Sequence, residues 1–550
     1  MTLDPNWVDQ TEEIQSDLLP MESANPFALD LISLASARSD DPQTHVAPPG
    51  ENEKYLYLKN SFRFFPLILN LLFLPIILSL IKFAMLSPYL WIFGVWIAVL
   101  IGNATVGALT SNKAHRVTFD SHRDLVNDYR PTKWASIDVF LPCCNEPLEV
   151  LLNTYKSVSN IAWPGRVNVY ILDDAGRAEV REAAQHFKFN YHSRENRGEF
   201  KKAGNLRSGF DNSDGDFILI LDADFTIRND ALFELMPYFS DEKIGIVQSP
   251  QFFDITPQQN WLQQGAGATQ ELFYRWIQPS RDRSDAAICV GTCAIYRRQA
   301  LVDAGGFAQI EHSEDVHTGV KLAKAGYYLR YIPVLVAKGL CPSEPLAFIS
   351  QQYRWATGSL SLLTDKSFYQ NQNIRIKRKL PYFTGFMYYI TTGLGVYLNW
   401  LPGPIILWFF PELIKPENYL PISTILFSQA ILLPAITNGR YKPRVARVQM
   451  LYSFAHAQAI LDKIRNTTQG WVATGESSSS HTGAKKISRT MKTVISCVIT
   501  AQVLGFIHAT AVSGFENTWP AMIFTAFYIY ISFPLLLIET KLSSLNRKTS

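Results

Sequence analysis

Hydrophobic positions along this chain fall into two patterns: short runs that stop at acidic residues, and long apolar blocks of bilayer-crossing length. The short runs are Ile137 to Leu141, Val167 to Leu172, Phe217 to Leu221 and Ile244 to Gln248, with polar or helical stretches between them. Such alternation predicts an α/β domain with a largely parallel sheet. The second run ends in Asp173-Asp174 and the third in Asp222-Ala223-Asp224. Open α/β sheets bind ligands beyond the carboxyl ends of their strands, so two strands are expected to deliver carboxylates to one edge.

The long blocks run from Phe64 to Leu86, Tyr89 to Leu109, Tyr382 to Phe410, Tyr419 to Thr437, Thr493 to Phe515 and Trp519 to Ile538. Each is close to or above the roughly 20 residues that cross a hydrocarbon core, which predicts about six transmembrane helices. Lys54, Lys59 and Arg63 precede the first pair, Lys113, Arg116, Arg123 and Arg130 follow it, and Lys541, Arg547 and Lys548 follow the last block. Positive charge collects on the cytoplasmic side, so the domain between the second and third blocks and both termini are expected in the cytosol. That domain closes on Arg375-Ile376-Lys377-Arg378-Lys379, a basic run suited to an anionic lipid surface. The predicted division is a disordered acidic tail over 1–53, a two-helix hairpin over 54–130, and a cytosolic catalytic domain over 131–380. Helices three and four follow over 381–440, then an interfacial helix near Val445 to Ile464 and a loop within 441–492. Helices five and six with a short tail fill 493–550.

Composition supports the membrane reading, since 47% of residues are hydrophobic and they are clumped. A net charge of +3 without a long basic block or zinc-type spacing excludes a nucleic-acid partner. Six cysteines without paired spacing read as free thiols of a reducing compartment. The start is polar and acidic, so the first membrane helix is expected to serve as the targeting element.

Four stretches carry candidate chemistry. Asp222 and Asp224 are alternate residues at a strand end and can share a divalent cation, and oxygen-only ligands favour Mg²⁺ or Mn²⁺ carrying a diphosphate. The competing reading is a pair of turn caps. Within Arg194 to Leu206, Arg194 and Lys202 can meet phosphate or uracil and Gly204 permits close backbone approach, unless the stretch is only a solvated loop. In His312-Ser313-Glu314-Asp315, Asp315 reads either as a first-turn helix anion or as a general base with Glu314 beside it. In Gln351-Gln352-Tyr353-Arg354-Trp355, helical spacing puts Gln351, Arg354 and Trp355 on one face, an amide, a guanidinium for diphosphate and a flat ring for a sugar. Plain core packing is the alternative for Trp355.

In order and in membrane context, Asp173-Asp174, Asp222-Ala223-Asp224, Ser313-Glu314-Asp315 and Gln351-X-X-Arg354-Trp355 resemble the motifs of the processive family-2 glycosyltransferases, which include cellulose, hyaluronan and chitin synthases. The motif resemblance covers residues 136–358. It implies a GT-A fold inserted in a helical membrane domain, a UDP-sugar donor, inversion at the anomeric carbon, and a growing polysaccharide threaded through the plasma membrane. By family role, Asp173, Asp174, Arg194, Lys202, Gln351 and Arg354 would bind the donor and Asp222 and Asp224 the metal-diphosphate. Asp315 would be the base supported by Glu314. Trp355 with Val290, Gly291 and Thr292 would hold the acceptor, and Trp471 and Thr474 would belong to a gating-type loop. Phe225 stands where cellulose synthases commonly carry His, and Ser313 where they carry Thr. Cys289-Val290-Gly291-Thr292-Cys293 looks more like curdlan and mixed-linkage glucan synthases. The expectation is a β-glucan made from UDP-glucose, with 1,3-, mixed or 1,4-linkage open. A hyaluronan- or chitin-type synthase using UDP-N-acetylglucosamine is the nearest rival, and a non-processive lipid-phosphate glycosyltransferase a more distant one.

Overall fold

The structure, a computed structural model, describes residues 45–59, 65–111, 115–253, 255–467, 469 and 481–538. Trp471 and Thr474 of the expected gating-type loop, and most of the expected N-terminal tail, lie outside the described residues.

Ten strands follow in chain order: β1 (Ile137–Cys143), β2 (Val167–Asp173), β3 (Asn190–His192), β4 (Phe217–Ile220), β5 (Phe225–Ile227), β6 (Ile244–Gln248), β7 (Phe252–Phe253), β8 (Ala294–Arg297), β9 (Tyr328–Tyr331) and β10 (Ala337–Gly339). Seven form a mixed sheet ordered β3-β2-β1-β4-β8-β6-β9, and β5-β10-β7 form a small second sheet. Every residue of β1, β4 and β6 is buried, the signature of central strands covered on both faces. Phe140, Ile218, Ile220 and Ile246 pack there with Leu206 and Leu322 from flanking helices.

The run β3-β2-β1-β4 is parallel, as expected, but β8 lies antiparallel between β4 and β6. Its register pairs Ala294, the first residue of β8, with Ile220, the last of β4. A reversed strand starts where its neighbours end. The loop Val290-Gly291-Thr292 is thereby carried to the same edge as Asp222 and Asp224.

Helices beyond the sheet build a second region. Helix Pro345–Leu363 packs on helix Val445–Ile464, which also meets Ile376–Leu398 and Trp261–Leu272. The stretch read as interfacial is a helix whose middle turns, Met450 to Ala457, are buried in protein on all sides. Among the described residues three helices are long and apolar enough to cross a membrane: Pro88–Thr110, Thr482–Ser513 and Phe515–Leu536. The expected count of about six is not reached, for identifiable reasons. The third expected span breaks at Asn399 into Ile376–Leu398 and Pro402–Phe409. The first of these opens on Lys377, Arg378 and Lys379 and turns Thr391 and Thr392 to a cavity, which dilutes its apolar character. The fourth is divided around a π-helical turn at Ser428–Leu432, so Ser423–Ile436 qualifies only as a shorter apolar helix, whereas the first expected span forms the 20-residue apolar helix Phe65–Ala84.

The segment just before the first membrane hairpin is ordered against the sheet domain, unlike the disorder expected up to residue 53. Lys54 Nζ pairs with Asp230 at 2.6 Å and with Glu234, and Tyr57 is buried in the main core. His122 joins the cluster through Glu234 (2.6 Å) and the Tyr238 hydroxyl (2.7 Å).

Candidate functional site

The site is assembled where β1, β2 and β4 end and β8 begins. The last ladder bond of β4 runs from Leu221 N–H to Phe140 O at 3.1 Å, and the next amide, Asp222 N–H, donates to Thr292 Oγ1 at 2.8 Å. That bond clamps the acidic turn to the Val290–Thr292 loop. Gln248, fully buried at the end of β6, fixes the loop from the other side: its amide donates to Thr292 O (2.8 Å) and its Oε1 accepts from Val290 N–H (3.1 Å).

Lys202, on helix Lys201–Asp211, is the hub of the charges. Its ammonium donates to Asp222 Oδ1 at 2.5 Å and Gly291 O at 2.9 Å, and stands 3.8 Å from Glu314. Burial opposes its charge, but Asp222 and Glu314 outweigh burial and hold it protonated far above neutral pH. One ammonium does not balance the acidic groups around it. Asp224 is pushed up to about 8 by burial, then by Asp222 and Glu146. Asp315 is likewise pushed up to about 8 by burial and Glu314, with Lys202 opposing. Glu146, whose carboxyl accepts from Cys144 N–H at 2.7 Å, is raised by burial and Asp222.

This excess of buried carboxylate over cation is what a divalent ion would relieve, so the residues fit one. Among the described residues no three His, Cys, Asp or Glu side chains form a complete ligand set, so diphosphate or water oxygens would have to complete the coordination.

Asp315 sits at the start of helix Glu314–Lys324, with Ser313 before it in left-handed backbone (φ 55°). Gly291 also has a positive φ (73°), and a Cβ there would stand 2.9 Å from Asp315 Cβ. A side chain there would press on Asp315. Gly358, one turn beyond Trp355, leaves room for Ser313 in the same way and brings helix Pro345–Leu363 against the His312–Ser313 turn.

Asp222, Asp224, Asp315, Gln351, Arg354 and Trp355 all line one cavity of about 1740 Å³, together with Asp174, Lys202, Val290 and Glu314. On the helical side its wall includes Tyr388, Asn399, Trp400 and Gln502. Among the described residues, four expected site residues do not line it: Asp173, Arg194, Thr292, and Gly291, whose carbonyl is taken by Lys202. Asp173 is fully buried behind the wall, where it accepts from the N–H groups of Ala175 (3.1 Å) and Arg177 (2.6 Å) and from the Tyr191 hydroxyl (3.0 Å). Arg194 grips Asp174 at 2.6 and 3.0 Å and caps Lys201 O, so its guanidinium is committed to shaping the loop. Thr292 is buried under Asp222.

Sequence reasoning passed over Glu146 and Gln248. Each follows the rule applied to the acidic doublets, a polar side chain at or just past the carboxyl end of an apolar run, but each is a single residue where the others came in pairs.

Residues 138–304 match the family described as Glycosyl transferase family 2. The chain is 33% identical over 261 residues to the UDP-forming cellulose synthase catalytic subunit of Xanthomonas axonopodis pv. citri, covering 46% of this chain and 36% of that protein. It is 36% identical over 237 residues to cellulose synthase 1 of Komagataeibacter xylinus (42% of this chain, 15% of that protein). With the UDP-forming catalytic subunit of Pseudomonas fluorescens it shares 34% over 233 residues (42% and 31%). The matched stretch thus spans about a third or less of these relatives' own length. Among solved structures, a mannosyltransferase from Pyrobaculum calidifontis in complex with GDP-Man and Mn²⁺ aligns with a TM-score of 0.43 and 16% identity, over 68% of this chain and 98% of that one.

Proposed function

We propose, from the premise that this chain is a family-2 glycosyltransferase of the processive, cellulose-synthase-like group, that it polymerises glucose from UDP-glucose into a β-glucan and passes the product out through its helical region. The observation that carries the reading is the single cavity that joins Asp315 and Trp355 to Tyr388, Asn399 and Trp400 on the helices. A polymer made beside Asp315 has a walled route away from it, with aromatic faces on which sugar rings stack.

In this reading the sheet domain is of GT-A type and Asp315 takes the proton from the acceptor hydroxyl. A carboxylate raised to about 8 is a stronger base than an ordinary one; only about a tenth of it is ionised at pH 7, so general-base catalysis by Asp315 gains as pH rises through 8. Lys202 and Arg354 face the charge that develops on the departing UDP. Asp222 and Asp224 would hold Mg²⁺ or Mn²⁺, and when bound that ion supplies charge neutralisation to the diphosphate. Trp355 and Val290 line the acceptor side, with Gly291 behind Val290, while Asp174 and Gln351 line the donor side.

Orientation follows the same reading. Lys54, ahead of the hairpin, touches Asp230 and Glu234, behind it, so both ends of the hairpin share one side of a bilayer. The basic flanks assign that side to the cytosol, and with it both termini of a multi-pass plasma-membrane protein.

The test is synthesis in membranes containing the protein, with radiolabelled UDP-glucose or UDP-N-acetylglucosamine as sole donor. Long alkali-resistant glucan from UDP-glucose is expected, abolished in Asp315→Asn while UDP still binds. Polymer from UDP-N-acetylglucosamine alone rejects the glucan reading, a single transferred sugar rejects processivity, and linkage analysis decides among 1,3-, mixed and 1,4-products.

A further inference from the structure

Among the described residues, Arg281 is a buried cation with no carboxylate partner. Only 5% of its surface is exposed, and its side chain makes one long bond to a described residue, Nη2 to Thr384 Oγ1 at 3.3 Å. Its Nε and Nη1 are buried without a hydrogen-bond partner among the described residues. The neighbouring Asp282 is already engaged by Arg330 (3.1 Å) and Arg116 (3.7 Å), and Asp285 by Arg116 (2.8 Å). Burial, unopposed by any acid, pulls Arg281 down to about 10. Leaving two buried guanidinium donors without a protein acceptor is costly, and a planar fork of donors matches the oxygens of a phosphate.

The surroundings say which phosphate. Arg281 lines the large cavity, and Gly385 makes room for it, since a Cβ there would come 2.9 Å from Nη2. The next residue back, Ser280, donates its hydroxyl to Thr110 O at 2.8 Å, and Thr110 is the last residue of the apolar helix Pro88–Thr110. Arg281 therefore stands at the depth where that helix reaches the headgroup layer. From there the cavity wall continues along Gly107, Leu100, Phe83 and Leu80 of the membrane hairpin. An anionic head at Arg281 and a hydrocarbon tail along that wall satisfy both halves.

We propose that Arg281 and the adjoining hairpin wall bind the phosphate headgroup of an anionic membrane lipid. Arg281 shares the large cavity with the carboxylate cluster, and occupancy of its site does not depend on which sugar is transferred.

The full-length protein, purified in mild detergent, is mixed with phosphatidylglycerol, phosphatidylcholine or inorganic phosphate, and retained lipid is counted by native mass spectrometry. Retention of phosphatidylglycerol over phosphatidylcholine is expected, undisturbed by excess inorganic phosphate. Arg281→Gln lowers that retention at least about tenfold, the scale of a lost charge-assisted fork, and Arg281→Lys, which keeps charge but not the fork, falls between. Equal retention of phosphatidylcholine, or unchanged phosphatidylglycerol retention in Arg281→Gln, overturns the proposal. Displacement of the lipid by inorganic phosphate overturns it in favour of a soluble anion. If Arg281→Gln does not fold, the wild-type competition and the Lys variant decide.

Discussion

Replacing Lys202 with Met removes the one ammonium that holds Asp222, Glu314 and Gly291 O together. A unit charge pair about 4 Å apart at an effective dielectric near 20 is worth about 4 kcal/mol, and one pKa unit corresponds to about 1.4 kcal/mol. Asp315 follows Glu314, which stands 3.8 Å from Nζ, and Lys202 is only one influence on Asp315, so an upward shift well below that ceiling, on the order of one pKa unit, is expected there. The base works only when ionised, so raising its pKa moves the acid limb of the kcat/KM profile to higher pH. The assay is polymer formation from radiolabelled UDP-glucose at saturating Mn²⁺, from pH 6 to pH 10, for the wild type and Lys202→Met. Donor binding weakens as well, which lowers the whole curve without moving its limb. A profile that drops but keeps its acid limb in place refutes the electrostatic coupling of Lys202 to Asp315.

Three further outcomes follow from the same geometry. Gly291→Ala forces a Cβ into left-handed backbone at a cost of about 1–2 kcal/mol and presses it on Asp315; kcat is expected to fall at least about tenfold with little change in donor KM, read from initial rates. Asp224→Asn removes a carboxylate from the proposed cation site, so the Mn²⁺ concentration for half-maximal activity should rise at least about tenfold in a metal titration. Lys54→Met strands buried Glu234 without its ammonium and should destabilise the sheet domain by about 3–5 kcal/mol at neutral pH. Burial pushes Glu234 up, but His122 and Lys54 outweigh it and hold the carboxyl below its usual range. That contribution is full above the ordinary carboxylate range and is lost as pH falls through the depressed value, so the thermal-stability gap between wild type and Lys54→Met should close in acid.

The parts of the fold legible in the sequence were those with one dominant cause. β1, β4 and β6 are largely apolar runs because both faces are covered, β2 is buried only toward its end, and the acidic pairs stand out because charge at such an end needs a reason. β8 is a four-residue strand following a Gly-Thr loop, and its reversed direction depends on the path of the intervening helices, which no local pattern encodes. Asp173 and Asp174 are chemically alike, and only the end point of β2 decides that the first folds inward onto the Ala175–Arg177 amides while the second faces the cavity. The helix count is harder to read for a related reason. Hydropathy assumes that a membrane helix meets lipid all round, whereas Ile376–Leu398 gives one side, with Thr391 and Thr392, to the cavity.

The ordered segment ahead of the hairpin has a consequence for synthesis. Tyr57 belongs to the same interior as Phe252 and Tyr331, so the ribosome releases one piece of that interior long before its neighbours exist. Lys54 must wait 176 residues for Asp230, roughly ten to thirty-five seconds of translation, while two apolar helices emerge and enter the bilayer in between. A newly made chain that loses those first residues to proteolysis in that interval would keep its membrane helices and arrive at the end of translation without the side chain that closes its catalytic domain.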